Sequence, residues 1–522
     1  MKDEDIVGTA LAAVLPKYDC SWVKVPHLLQ LNLLLVIPLL SSAVAGYDGS
    51  MMNGLQSLSQ WKSYFGSPTG SVLGLVNAAQ SIGSVISLPF IGILSDRIGR
   101  KKTLLAGAVT IVAASIIQAA SVNYGMFVFS RVIVGIGSML VVQPAPMLIT
   151  ELAFPTHRGK YTSAFWTMYY LGAILASWTT YGTQSTDSDW SWRIPSIIQA
   201  GFPIVQIIFW WFVPESPRWL IANGRGEEAE RTLARFHTGG EITHPLIRFE
   251  MAEIGQTIEM EKQASKTTWS SLVATPGNRK RTFIAVSVGA FAQWNGVAVV
   301  SYYLTLVLDT VGITDPDTQT LINGLLQIFN FIFAGSAALL VDRLGRRTLF
   351  LWSAVGMLIS FIIWTACSAV FNEAAAPNPK LGHTVIAFVF IFYFHYDIAY
   401  TPLLLGYPTE IFPYSLRSKG LTVELLSVYS SLVILAFVNP IALDKIGWKY
   451  YIFYCCFLVV VLAVTWVAFP ETKGYSLEEI KEVFDGPDFR IGDGGSGEAG
   501  LDMKKGEDDE DEIGDRKPVH IE

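Results

Sequence analysis

Five ionisable residues stand inside apolar runs that otherwise exclude charge. They are Asp48 in GYDGSMMNG, Arg131 in FSRVIVGIGS, His395 and Asp397 in IFYFHYDIAYTP, and Glu424 in GLTVELLSVYSS. An ionisable side chain in a lipid-buried run costs free energy, so it marks a path for protons, ions or a polar solute. The chemistry open to these groups is the binding and release of protons. Two of them admit a plainer reading. His395 equally fits a core histidine with its hydrogen bonds made, and Glu424 equally fits the interface, a few residues into its run.

A second set of charges alternates in sign at the ends of the runs. Asp96, Arg97 and Arg100 lie in GILSDRIGRKK, Glu151 and Arg158 in PMLITELAFPTHRGK, and Glu215 and Arg218 in VPESPRWL. The same words return half a chain later. Asp342, Arg343 and Arg346 lie in VDRLGRR, Glu410 and Arg417 in YPTEIFPYSLRSKG, and Glu471 in FPETKGYSLEEI. Setting orientation in a membrane needs bases alone. Acids among them predict ion pairs across helix ends, which would lock one mouth of the molecule and break when it opens.

Elements of a particular kind must position these charges. Of 522 residues only 16% are charged, against about 25% in a soluble chain, and mean hydropathy is +0.40. A spanning helix needs roughly 20 mostly apolar residues. About twelve such stretches begin near Leu28, Ser71, Thr103, Gly125, Tyr161, Trp192, Thr282, Thr318, Leu349, His383, Gly420 and Tyr450. The second and eighth carry internal polar residues. The expected fold is therefore an all-α polytopic membrane protein, with twelve transmembrane helices in two pseudo-symmetric six-helix bundles, the plan of many secondary transporters.

The expected organisation is an N-terminal segment (1–27), a first bundle (28–213), a linker with short amphipathic helices (214–281), a second bundle (282–470) and an acidic tail (471–522). From Glu471 to Glu522 there are 17 acids and 7 bases, so the tail should be disordered, and the rest of the chain is slightly basic. The short loops rich in Lys and Arg place both termini in the cytoplasm. MKDEDIVGTA lacks the basic start of a signal peptide. The four cysteines show no disulfide or zinc spacing. Nothing implies a metal, a cofactor or an enzyme: Gly135-Ile136-Gly137 lacks the third glycine of a nucleotide loop. No basic surface suits nucleic acid.

As a set, the six motifs quoted above resemble the sugar porter family of the major facilitator superfamily. FAQWNGVAVVSYYL, AYTPLLLGYPTEI and FVNPIALDKIGWKYY resemble its fungal lactose-permease-like and hexose transporter branch. The resemblance implies alternating access in a plasma-membrane monomer carrying a mono- or disaccharide, with proton symport. It implies that Asp48 and Arg131 form the proton-coupling pair. A buried carboxylate alone favours its neutral form and a nearby guanidinium its charged form, so a movement that parts the two would let Asp48 take a proton.

For the solute, the candidates by side-chain chemistry are Gln293, Trp294, Asn295, Tyr302 and Tyr303, then Gln327, Asn330, Tyr407, Asn439 and Trp166; of these, the resemblance implies Gln293, Tyr302 and Tyr303 directly. Amides bond hydroxyls in pairs and aromatic faces stack on a sugar ring. Four places depart from the family's pattern. In Asn295-Gly296-Val297-Ala298, apolar residues stand where a later Asn is usual. Ala292 stands where a glutamine is usual, Leu405 where a tryptophan is usual, and Trp166 where a polar residue is usual. Fewer buried polar partners imply a different sugar or a less hydroxylated solute. The alternatives are thus a carrier of a non-sugar metabolite, including an exporter, or an uncoupled sugar facilitator. A sensor would carry a longer tail.

Overall fold

The computed structural model describes residues 9–16, 18, 21–264, 268–374, 378–473, 480 and 483–485. Among them the regular structure is helical throughout, without a strand. Proline opens several long helices, at Pro26, Pro276, Pro316 and Pro379. Its missing N–H is one that a helix start leaves unpaired, and its fixed φ suits the first turn.

The first six spans are Pro26–Ser57, Gly70–Ile98, Arg100–Ala119, Tyr124–Val142 continued by Pro144–Leu152, Arg158–Thr183, and Trp190–Ile198 continued by Gly201–Phe209. Four short helices follow: Pro217–Ala222, Gly226–His237, Pro245–Ala264 and Ser271–Ala274. The second six are Pro276–Trp294 continued by Val297–Asp309, Pro316–Leu344, Arg346–Glu373, Pro379–Ile411, Tyr414–Ile446 and Tyr450–Ala468.

Length and hydropathy alone single out ten stretches among the described residues, one of them the 54 residues Ser415–Ala468, which holds both the eleventh and twelfth spans. The fifth span falls short because Thr, Tyr and Trp dilute its apolar residues. Its place is set by contact with the first span instead. A Cβ on Gly46 would lie 1.7 Å from the Tyr169 carbonyl oxygen, and one on Gly172 would lie 1.8 Å from that of Ala43. Only glycine lets the two backbones come this close, as small residues do between membrane helices. Large apolar side chains such as Phe90, Ile93, Phe129, Ile332, Trp352 and Val467 face outward, which suits a lipid surround and would be unusual in water. The protein is an integral, multi-pass membrane protein.

Spans one to six pack with one another, as do seven to twelve. The halves meet where the first span touches the seventh, the second the eleventh, and the fifth the eighth. Exchanging one with seven, two with eight and five with eleven maps these contacts onto each other, so the duplication in sequence is a pseudo-two-fold in space. One end of the molecule carries the Asp-Arg-x-Gly-Arg turns and is called the basic end below.

The opposite end is clamped. Asn53 donates from Nδ2 to the carbonyl of Val300 at 3.1 Å and to that of Ser301, and its Oδ1 accepts from the Leu304 N–H at 3.1 Å. Gln56 donates to the Tyr302 carbonyl at 2.9 Å, and Ser57 bonds Thr305 at 3.0 Å. Asn323 donates to Ser177 at 3.0 Å, joining the eighth span to the fifth. At the basic end, Arg100 pairs with Asp96 and Glu151 in the first half, and Arg346 with Glu410 in the second.

Candidate functional site

The seventh span breaks at Asn295-Gly296, where Gly296 takes φ +106° and the Asn295 side chain caps the Val297 N–H at 3.0 Å. A second departure from helical geometry falls at Tyr303. The sixth span breaks after Ile198, which leaves Gln199 at the end of its first half. These breaks place polar groups deep in the bundle.

Asp48 on the first span and Arg131 on the fourth are both fully buried and form an ion pair. Arg131 donates from Nη1 to Asp48 Oδ1 and from Nη2 to Gln80 Oε1 at 3.1 Å. Gln199 Nε2 donates to the same Asp48 oxygen at 3.0 Å. Asp48 Oδ2 and Arg131 Nε are buried without a hydrogen-bond partner. A buried pair is held by its geometry, and removing one partner strands the other at a cost of about 3–5 kcal/mol. Gln80 and Gln199 are members of this site that the sequence did not mark. Nothing in the sequence shows that the second and sixth spans converge on the pair.

Tyrosines surround the seam between the halves beside this pair. Tyr302 is within electrostatic reach of Tyr169, Asp48, Tyr429 and Arg131, and Tyr169 of Tyr393, Asp48 and Tyr429. Gly49, next to Asp48, would carry a Cβ only 2.5 Å from the Tyr169 hydroxyl. Tyr393 bonds Ser301 at 2.6 Å, and the Tyr396 and Tyr400 rings stack at 5.5 Å. Tyr169, Tyr302, Tyr396 and Tyr429 are half-buried. They come from the fifth, seventh, tenth and eleventh spans, and rings and hydroxyls of this kind are able to stack on and bond a polar ring-shaped solute.

Of the other residues expected to bind solute, Gln293 and Gln327 are buried, and Gln327 donates to Asn323 at 3.3 Å. Asn330 is buried with both side-chain polar atoms unpartnered. The rest make structural contacts. Trp294 packs against Phe453 and Phe457. Tyr303 donates to the Ala436 carbonyl, between the seventh and eleventh spans. Asn439 accepts from Tyr450 at 2.9 Å and from Tyr454 at 2.7 Å. Tyr407 stacks on Phe469 and donates to the Pro470 carbonyl at 2.8 Å. Trp166 packs beside Phe165 within the first half. His395 is half-buried; its Nδ1 bonds the Ile391 carbonyl at 2.8 Å and the ring abuts Gly356. No group of metal-ligating side chains occurs among the described residues.

The basic end repeats one latch twice. In the first half, Gly99 has φ +100° and precedes the third span. Glu215 Oε1 accepts from the N–H of Lys101 at 3.1 Å and of Ser216 at 2.9 Å. Glu151 bonds the Ser216 hydroxyl and lies 3.5 Å from Arg100, which also pairs with Asp96 at 3.0 Å. In the second half, Gly345 has φ +91° and precedes the ninth span. Glu471 accepts from the N–H of Arg346 at 2.8 Å and of Arg347 at 3.1 Å. Glu410 pairs with Arg346 at 3.0 Å and accepts from the Thr472 hydroxyl. A carboxylate on a helix N-terminus is favoured by the unpaired N–H groups and the dipole. Burial alone would raise the carboxyl of Glu471, but N–H groups of Lys473, Arg346, Thr472 and Arg347 outweigh it and hold the group below its usual range.

Arg158 turns from Glu151 to Glu250 of the linker helix Pro245–Ala264, at 3.3 Å, and Glu250 also holds His237 at 2.8 Å. Arg218 lies within electrostatic reach of Glu151. Arg97 is exposed, and Arg417 is half-buried in the first turn of the eleventh span. The side chains of Asp342 and Arg343 lie outside the described residues, as do residues 486–522 of the acidic tail.

The family model described as "Sugar (and other) transporter" matches residues 34–484. Among curated proteins, the chain is 29% identical over 84% of its length to the MFS-type transporter oryC of Aspergillus oryzae, covering 82% of that protein. It is 29% identical to the low-affinity glucose transporter HXT1 of Saccharomyces cerevisiae, over 80% of the chain and 73% of the relative. It is 26% identical to the high-affinity glucose transporter of Kluyveromyces lactis, over 88% and 86%. Among solved structures, the inward-open xylose transporter XylE of E. coli superposes with a TM-score of 0.73 at 25% identity, covering 87% of this chain and all of that one.

Proposed function

The chain belongs to the sugar (and other) transporter family, and on that premise we propose that it carries a sugar across the bilayer by alternating access, together with a proton. It acts as a lipid-embedded monomer in the plasma membrane with both termini in the cytoplasm. The basic end then faces the cytoplasm, and the Asn53 clamp closes the outer end. The state described is closed to the outside.

One observation carries the coupling: an Asp–Arg pair, buried in the first half, abuts the tyrosines of the seam. Solute bound among Tyr169, Tyr302 and Tyr396 would sit beside the Asp48–Arg131 pair. A shift of the fourth span that draws Arg131 toward Gln80 leaves Asp48 to take a proton. Carrying one charge through 100 mV supplies about 2.3 kcal/mol, roughly fiftyfold accumulation at about 1.4 kcal/mol per tenfold. The glucose and xylose carriers among the relatives support a hexose or pentose as the solute.

A second reading keeps the scaffold and changes the cargo. Ala292 and Leu405 remove two polar or aromatic partners, and several amides are engaged elsewhere, which favours a less hydroxylated organic solute. The test is uptake of a labelled panel of hexoses, pentoses and disaccharides into yeast lacking its own sugar carriers. Saturable uptake of one member identifies the solute. No uptake of any member, with the protein at the cell surface, refutes the sugar reading and leaves the second.

A further inference from the structure

The Asp48–Arg131 pair lies wholly within one half. Asp397 does not share that property. It sits midway along the tenth span, 0% exposed. Its Oδ1 accepts from the Tyr170 hydroxyl at 2.5 Å and from the Thr401 hydroxyl at 2.8 Å. Tyr170 belongs to the fifth span, so this bond crosses the seam between the halves. Oδ2 is buried without a hydrogen-bond partner.

The groups facing Asp397 are weak acids or apolar. Tyr170 comes from the fifth span, and Tyr393 and Tyr396 from its own helix. Tyr302 of the seventh span stands behind Tyr393. The eighth and ninth spans meet the tenth through Phe329, Phe333, Phe350 and Phe361. His395, two residues away, is occupied with Ile391 and Gly356. Glu424 of the eleventh span is buried and is not among its neighbours. Among the described residues no cation interacts with Asp397.

We propose that Asp397 is a second proton-binding site, distinct from Asp48, and that it must be protonated for the halves to close at the outer end. A carboxylate buried in the protein interior without a cation carries a large desolvation cost that two hydroxyl donors do not cancel. Its neutral form removes that cost. With Oδ1 occupied by two donors, the proton resides on Oδ2. When the halves part at the outer end, Tyr170 withdraws from Asp397 and water reaches the carboxyl, which releases its proton there. Closing reverses the step: a proton from outside binds Oδ2, and the Tyr170 bond re-forms across the seam. Asp48 thus responds to solute within one half, and Asp397 to the relative position of the two.

This inference rests on the coupled-transport reading, and the experiment separates the two. Full-length wild type and Asp397→Asn, the neutral near-isostere, are compared for sugar uptake against external pH. Above the titration range, each obligatory proton contributes about tenfold per pH unit. The limiting slope of log uptake against pH should therefore fall from about −2 in wild type to about −1 in Asp397→Asn. A wild-type slope of −1, or an unchanged slope in the variant, overturns the proposal. Spin labels on the outer ends of the first and seventh spans give a readout that does not depend on solute binding. The outer-closed population should rise with acid in wild type and be independent of pH in Asp397→Asn. A pH response of the variant equal to wild type overturns the proposal. Wild type that takes up no sugar refutes the sugar reading, while the label distances still decide the role of Asp397.

Discussion

Replacing Gly345 by alanine perturbs the second latch in two separable ways. The backbone at Gly345 takes φ +91° and ψ 149°, a region left almost wholly to glycine, where a residue with a Cβ costs roughly 1–3 kcal/mol. The new Cβ would also lie 2.8 Å from Glu471 Oε2, so the carboxylate must shift off the N–H groups of Arg346 and Arg347. Losing one such bond costs about 1–2 kcal/mol, because the group is half-exposed. The sum is about 2–5 kcal/mol against the latched form. The first half sharpens the test, because at Gly99 the Cβ would meet Glu215 at 2.2 Å. Gly92, with open space and an ordinary φ, is the control. Thermal unfolding of the purified protein should rank Gly99→Ala below Gly345→Ala, and Gly92→Ala, a Gly→Ala change inside a helix, at or slightly above wild type. In a Glu471→Ala background the collision is absent, so Gly345→Ala should cost only the backbone strain. Additive effects of Gly345→Ala and Glu471→Ala would refute the latch, because residues in contact are coupled.

Further predictions concern other parts of the molecule. Glu471 is held below its usual range, so its contribution is fully present above the unfolded value near 4.5 and is lost as pH falls through the lower folded value. Stability of wild type should drop in that acid window more steeply than that of Glu471→Gln, and parallel curves would contradict this. Tyr302→Phe removes one hydroxyl beside Asp48, so KM for the solute should rise roughly two- to twelvefold with little change in maximal rate; an unchanged KM removes Tyr302 from the site. Asn53→Ala deletes three bonds of the outer clamp, each worth about 0.5–1.5 kcal/mol. A cysteine at the outer end should then react more than tenfold faster with an impermeant maleimide, and an unchanged rate would show that the clamp does not hold that end.

The spans, their number and the duplication were legible because long apolar runs and repeated charged turns are local signals. The fifth span was legible only as one of a set, since its hydropathy is diluted and contact with Gly46 and Gly172 fixes it. Asp48 and Arg131 were legible because charge inside an apolar run stands out. Gln80 and Gln199 were not, because an amide does not stand out and their meeting depends on where the second and sixth spans cross the first. Tyr303 and Tyr407 lie in the right motifs, but the breaks in the seventh span and the end of the tenth turn their hydroxyls to backbone carbonyls. No pattern in the sequence reveals which way a side chain points beyond a helix break. Arg158 shows the same limit: its partner Glu250 is far along the chain, on a linker helix.

The most direct test of proton-coupled carriage is the pH of the medium around lightly buffered, energy-depleted cells that express the protein, followed as its sugar is added. The medium should turn alkaline as sugar enters with protons. Asp48→Asn, shown at the surface, should let sugar equilibrate without that change. Sugar entry through the wild type with no alkalinisation, or equal alkalinisation with Asp48→Asn, would contradict the account.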